Sequence, residues 1–256
     1  MGIQISLNNK VALITGATGQ LGQALVKTFA ECGAAIIIHY YRNKKKAEEL
    51  CQKLLQDGKQ AICAGCDITD KDDVLRMKDE IACKTGLPDI LVINAISPLI
   101  HWNHVLNEDP AAYMEFYQTC VMQTVLLSQI FLPSMIKKNY GRVIGINSES
   151  SMLLRPTQSA YSAAKRAMDG VLRVLAKETG EYGITVNQVA PGFLITPETP
   201  ESDDPQLKFY KKFIPLQRRG TPDEVSYTVA FLASDLAQYI SGVYIPVCGG
   251  NIMPAI

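Results

Sequence analysis

An excess of charge of either sign is missing from this chain: 25 lysines and arginines balance 25 aspartates and glutamates over 256 residues. Such neutrality excludes the broad electrostatic field that recruits nucleic acid or an anionic membrane surface, and small-molecule chemistry fits better. No uninterrupted apolar stretch approaches the ~20 residues needed to cross a bilayer. The richest run, VLLSQIFLPSMI, is broken by polar residues and Pro133. No charged-then-apolar leader opens the chain, and its seven cysteines are odd in number and scattered, so a disulfide framework is not expected. A reducing cytoplasmic compartment is the simplest reading. The opening MGIQIS matches a short acylation pattern that is common by chance, and one acyl chain anchors only marginally. Internal repeats, low-complexity tracts and linkers are also missing, which predicts one catalytic domain over residues 1–256.

Seven short apolar runs are present: KVALIT, AAIIIHY, QAICAG, PDILVI, GRVIGIN, ITVNQV and VYIPV, with helical patterns between most of them. Near-continuous hydrophobic strands alternating with helices predict an α/β fold, a doubly wound parallel sheet of about seven strands with helices on both faces. Thr221-Pro222-Asp223-Glu224 supplies an N-cap, a proline at the first helical position and a capping-box glutamate. The polar, proline-rich segment 197–220 follows a predicted strand. Ligands in open α/β sheets bind beyond the carboxyl ends of strands, so this segment is expected to be a substrate lid rather than an ordinary surface excursion.

After the first strand the chain reads Thr15-Gly16-Ala17-Thr18-Gly19-Gln20-Leu21-Gly22 and enters a helical pattern. Glycines permit a tight turn and close backbone approach, and the orphan amides of the helix start suit a pyrophosphate. Gly16, Thr18, Gly19, Gln20, Leu21 and Gly22 are therefore candidate dinucleotide contacts. At the end of the second strand, where a carboxylate would grip a ribose hydroxyl, the chain instead offers Tyr41, Arg42 and Asn43, followed by three lysines. A guanidinium can fork onto a 2′-phosphate that a carboxylate would repel, so NADP(H) is expected over NAD(H). The lysines also read as solvation of a helix start.

Tyr161 and Lys165 stand four residues apart, which stacks them on one helical face. An ammonium held there favours phenolate over phenol and suits the tyrosine to proton donation; the bland alternative is a surface contact. Ser148 closes the fifth apolar run. With the glycine turn, these three residues in this order and spacing resemble the short-chain dehydrogenase/reductase family along nearly the whole chain. Similarity is greatest to its single-domain Rossmann branch of 3-oxoacyl-carrier-protein reductase-like carbonyl reductases.

That resemblance implies hydride transfer between NADP(H) and a carbonyl or alcohol carbon of a small molecule, with Tyr161 giving the proton, Ser148 orienting the oxygen and Lys165 assisting both tyrosine and cofactor ribose. It also implies cofactor contacts at Asp67 and Ile68, at Asn94 and Ala95, and at Pro191, Gly192 and Thr196. A homo-oligomer, dimer or tetramer, paired through helices near 111–138 and 158–177, is implied as well. Three departures qualify the match. The glycine spacing is that of the family's longer members, Cys120 stands where a relay asparagine is usual, and Ile93 and Ile96 flank Asn94-Ala95. A thiol is a poor substitute for an amide. These departures motivate a rival expectation, a nucleotide-binding sensor or interaction protein with weak or lost catalysis.

Two further signals stay bland. Cys63-Ala64-Gly65-Cys66 lies on a predicted strand, where residues three apart face opposite ways, and reads as packed thiols rather than a zinc or redox pair. His101 and His104 lack a third ligand nearby, so no metal is expected; with Trp102, Met152, Leu153 and Leu154 they read as pocket lining or packing.

Overall fold

The structure, a computed structural model, describes residues 2–97 and 102–254. His101 of the histidine pair lies outside the described residues; His104 is exposed.

All seven expected strands form: β1 (Val11–Ile14), β2 (Ala35–Tyr40), β3 (Ala61–Gly65), β4 (Ile90–Ile93), β5 (Gly141–Ile146), β6 (Ile184–Pro191) and β7 (Tyr244–Val247). They make one parallel sheet in the order β3-β2-β1-β4-β5-β6-β7. The order reverses between β1 and β4, and there the carboxyl ends of the strands open a crevice.

The apolar runs are continuous because both sheet faces are covered. In β1, Ala12 and Ile14 pack into one core cluster and Leu13 into the other. The first cluster takes helices α1 (Gln20–Glu31), α2 (Lys44–Gln56) and, late in the chain, Pro222–Ala233. The opposite cluster takes α3 (Lys71–Lys84), α4 (Pro110–Tyr117), α5 (Gln123–Lys138) and, beyond the short α6 (Ser150–Leu153), the long α7 (Ser159–Thr179). Two further α-helices follow among the described residues, α8 (Pro205–Lys212) in segment 197–220 and α9, the Pro222–Ala233 helix already met. The α9 start carries the expected capping box, with Thr221 and Glu224 each serving the other's backbone amide.

Between α4 and α5 the helix is locally widened and underwound into a π-turn, Gln118–Met122. The combined run Pro110–Lys138 is long and apolar enough to cross a membrane, with a mean hydropathy of 1.5 in its best window, but 56% of that window is buried within the fold. Phe116, Leu127 and Phe131 show why: they are core residues against β4, β5 and α7.

Candidate active site

The β1 turn is held from three sides. Gly16 has φ +61°, and a Cβ there would meet Ala95 Cα at 2.8 Å; a Cβ on Gly22 would meet Gly16 O at 2.2 Å. Gly19 caps α1 without a side-chain bond, and no acidic residue occupies the first helical turn. Open amides in a cradle that any side chain would fill, at the positive end of a helix dipole, fit a dinucleotide pyrophosphate.

Asn94, just past β4, donates through Nδ2 to Thr15 O at 2.8 Å and Gly16 O at 3.2 Å, so its amide braces the turn. Thr15 Oγ1 in turn accepts from the Asn94 and Ala95 amides at 2.9 and 3.0 Å. On the other flank the Gly16 amide donates to His39 Nδ1 at 3.1 Å. The remaining ring nitrogen, Nε2, lies 3.1 Å from Cys66 O, so it carries the proton and donates there. Burial lowers the His39 pKa to about 4, which keeps the ring neutral and this tautomer in place.

Beyond β2, Tyr41 and Arg42 lie exposed, the Arg42 guanidinium stacked 4.8 Å from the Tyr41 ring centroid, and Asn43 precedes α2. Asp67 turns its carboxylate inward onto Thr69, whose amide donates at 2.9 Å, and Ile68 is buried beside it. Thr196 pairs with Thr199 at 2.9 Å, and Pro191 ends β6 with Gly192 at the cavity wall. These residues surround the crevice, and the geometry bears differently on each: Asn94 and Asp67 spend their side chains on bracing, whereas Arg42 is free to reach outward.

Ser148, Tyr161 and Lys165 come together as the spacing predicts. Ser148 and Tyr161 line one cavity of about 830 Å³. Lys165 is buried, donates from Nζ to Ile146 O at 2.6 Å, and sits 5.9 Å from the Tyr161 ring centroid. Asn147 ties the two supporting elements: its amide donates to Lys165 O at 3.0 Å and Gln188 Oε1 at 2.8 Å, while its carbonyl accepts from the Ser148 amide at 2.8 Å. Trp102 and Phe116 meet the Tyr161 ring edge-on at 5.9 and 5.5 Å, fixing its face.

Cys120 is fully buried within the π-turn, and burial raises its thiol pKa against the pull of the nearby Lys165 charge. An amide lies one turn further on. Gln123, also buried, donates to Ala95 O at 2.6 Å and to Thr119 O in the π-turn, with its Oε1 3.5 Å from Thr15 Oγ1. Sequence reasoning missed Gln123 and the His39 brace. A buried amide in an apolar helix, and a histidine at a strand end, were the available signals. The packed-thiol reading fits the structure, with all seven cysteines free and burial pushing Cys63 and Cys66 up to about 12.

A family model described as Enoyl-(Acyl carrier protein) reductase matches residues 16–251. Over 249 residues the chain is 34% identical to the 3-oxoacyl-[acyl-carrier-protein] reductase FabG of Pseudomonas aeruginosa, covering 97% of this chain and all of that one. The chain belongs to the short-chain dehydrogenase/reductase family. The Haemophilus influenzae FabG is 35% identical over 244 residues, 95% of this chain and 98% of the relative. Among solved structures, a gluconate 5-dehydrogenase from Burkholderia cenocepacia, in complex with NADP and tartrate, superposes with a TM-score of 0.89 at 30% identity, covering 96% of each chain. A candidate gluconate dehydrogenase from Agrobacterium tumefaciens reaches 0.93 at 26% identity, covering 99% of this chain and 100% of its own. This short-chain dehydrogenase/reductase is thereby an oxidoreductase of carbonyl and alcohol groups.

Proposed function

We propose that this family member reduces a small-molecule ketone or aldehyde, or oxidises the matching alcohol, through Ser148, Tyr161 and Lys165, with NADP(H) as its cofactor. The observation that carries the reading is the convergence of Ser148 and Tyr161 on one cavity with buried Lys165 behind the phenol. NADP(H), when bound, supplies or accepts the hydride. Its pyrophosphate would rest on the Gly16–Gly22 turn, and its 2′-phosphate would meet Arg42, which carries no competing carboxylate at the end of β2. Tyr161 donates its phenolic proton to the carbonyl oxygen, and the Lys165 ammonium stabilises the phenolate left behind. The Ser148 hydroxyl donates to the same oxygen as negative charge grows there.

We read residues 1–256 as one catalytic domain and segment 197–220 as its lid. Thr199, Pro200, Ser202 and Asp204 of that segment form part of the cavity wall, and Glu198 accepts from Gln20 beside the glycine turn at 2.9 Å. A homotetrameric assembly is supported by exposed apolar side chains, Met114 and Tyr117 on α4 and Val174 on α7, along the helices the resemblance implies for pairing. Seven free cysteines suit a reducing cytoplasm.

The test is NADPH consumption with a panel of ketones, aldehydes and 3-oxoacyl thioesters. Tyr161→Phe should lower turnover by about 10²–10⁴-fold, the usual worth of a placed proton donor, while NADPH binding followed by fluorescence stays unchanged. Equal turnover in the variant would end this assignment.

A further inference from the structure

One wall of the cavity is charged in a way the hydride chemistry does not use. Phe193 and Tyr210 stack edge to face at 5.8 Å, and a guanidinium covers each ring: Arg219 lies 4.7 Å from the Phe193 centroid and Arg155 lies 5.0 Å from that of Tyr210. All four side chains line the same cavity as Ser148 and Tyr161.

The carboxylates nearby are largely committed. Glu149 accepts from Tyr210 Oη at 2.7 Å and Asn251 Nδ2 at 2.9 Å. Asp204 caps α8 through the Gln206 amide at 2.7 Å. Glu201 takes the Lys211 ammonium and reaches Arg219 Nε only at 3.5 Å. Arg219 is 1% exposed and donates from Nη2 to Thr199 O, yet its Nη1 and Nε make no hydrogen bond. Gln158 Oε1, also at the cavity, is a buried acceptor with no donor. A buried guanidinium nitrogen such as Nη1, with neither a hydrogen bond nor an ion-pair partner, is costly, and a substrate carboxylate would satisfy it. The idle Gln158 acceptor suits a substrate hydroxyl.

We infer that the substrate is a carboxylate-bearing hydroxy- or oxo-acid, anchored by Arg155 and Arg219 on the Phe193–Tyr210 wall, with Gln158 receiving a hydroxyl. This rests on the carbonyl-reductase reading of the same site and narrows it away from neutral ketones and acyl thioesters.

The decisive comparison is acetoacetate against ethyl acetoacetate, the same ketone with and without its charge, in NADPH-dependent reduction. The wild-type protein should favour the acid. Arg155→Gln should cut kcat/KM for the acid by about 10–100-fold, the usual worth of a charged hydrogen bond, and leave the ester within about threefold. Arg219→Met, of similar volume, should also depress the acid selectively, with its melting temperature recorded alongside. A wild-type preference for the ester that Arg155→Gln leaves unchanged overturns the inference and spares the reductase reading. That reading falls separately, if Tyr161→Phe keeps its activity. Should neither ketone be reduced, calorimetry with tartrate on NADP⁺-loaded protein decides: binding lost in Arg155→Gln supports the anion site, and binding that is absent, or unaltered by the change, overturns it.

Discussion

The two ends of the crevice are built by opposite means. At the cofactor end, strand termini are tied by bonds between side chains and backbone: Asn94 and His39 grip Gly16, Thr15 holds the Asn94 and Ala95 amides, and Gln123 closes on Ala95. At the substrate end, side chains meet side chains, with two guanidiniums over two rings and donors left over. A turn that must present amides to a phosphate tolerates almost no movement, so its geometry is over-determined. A pocket that must select one molecule keeps its polar groups unspent until that molecule arrives.

The same glycine-to-alanine change should therefore behave oppositely at two places. Gly22→Ala puts a Cβ 2.2 Å from Gly16 O and 2.8 Å from the Ala17 backbone, none of which is a movable side-chain tip. We expect a loss of about 3 kcal/mol of stability, at the upper end for overpacking, and NADPH binding weaker by roughly 10²-fold. Gly180→Ala, exposed at the end of α7 with a helical φ of −60° and nothing within 4 Å, should instead stabilise by about 0.5–1 kcal/mol by restricting the unfolded chain. Urea unfolding with a cofactor titration reads both. Equal effects at the two sites would dissolve the contrast.

His39 offers the next largest effect. Its folded pKa of about 4 lies below the ordinary value of 6.5 because burial disfavours the charged ring. Between those values the unfolded chain binds a proton that the folded one refuses, so stability falls as pH drops from 6.5 toward 4, by on the order of 3 kcal/mol in all. Protonation would also set a ring N–H against the Gly16 amide. His39→Gln, which keeps an acceptor and a donor but does not titrate, should flatten that slope in pH-dependent urea unfolding. An unchanged slope would remove His39 from the brace.

How much of this was legible follows the same divide. The seven strands, the Gly16–Gly22 turn, the Tyr161–Lys165 pair and the Thr221 capping box all repeat local rules, so a few adjacent residues disclose them. His39 was visible only as part of a strand end, because its task depends on Gly16 and Cys66, which reach it from two other strands. The Arg219 burial was hidden for a like reason: in PLQRRG it reads as one more solvated charge, and only the fold lays it on Phe193. The π-turn at 118–122 has no composition signal. It shifts the helical phase between Cys120 and Gln123, and periodicity counted at 3.6 residues per turn passes over it.

That π-turn gives the smallest and sharpest test. Gln123→Leu removes the side-chain donor to Ala95 O, which should cost about 1–3 kcal/mol of stability and loosen the Asn94–Ala95 corner that braces Gly16. Cys120→Asn, at a fully buried position, should by itself destabilise through crowding by about 1–3 kcal/mol. If Gln123 does the bracing that an amide at position 120 would otherwise do, Gln123→Ala opens room and removes a donor that the new asparagine replaces. The double variant should then lose less stability than the two single losses added together, and NADPH affinity should recover with it. Strict additivity would mean that the two positions act separately, and that an asparagine at 120 does not take over the donor role of Gln123.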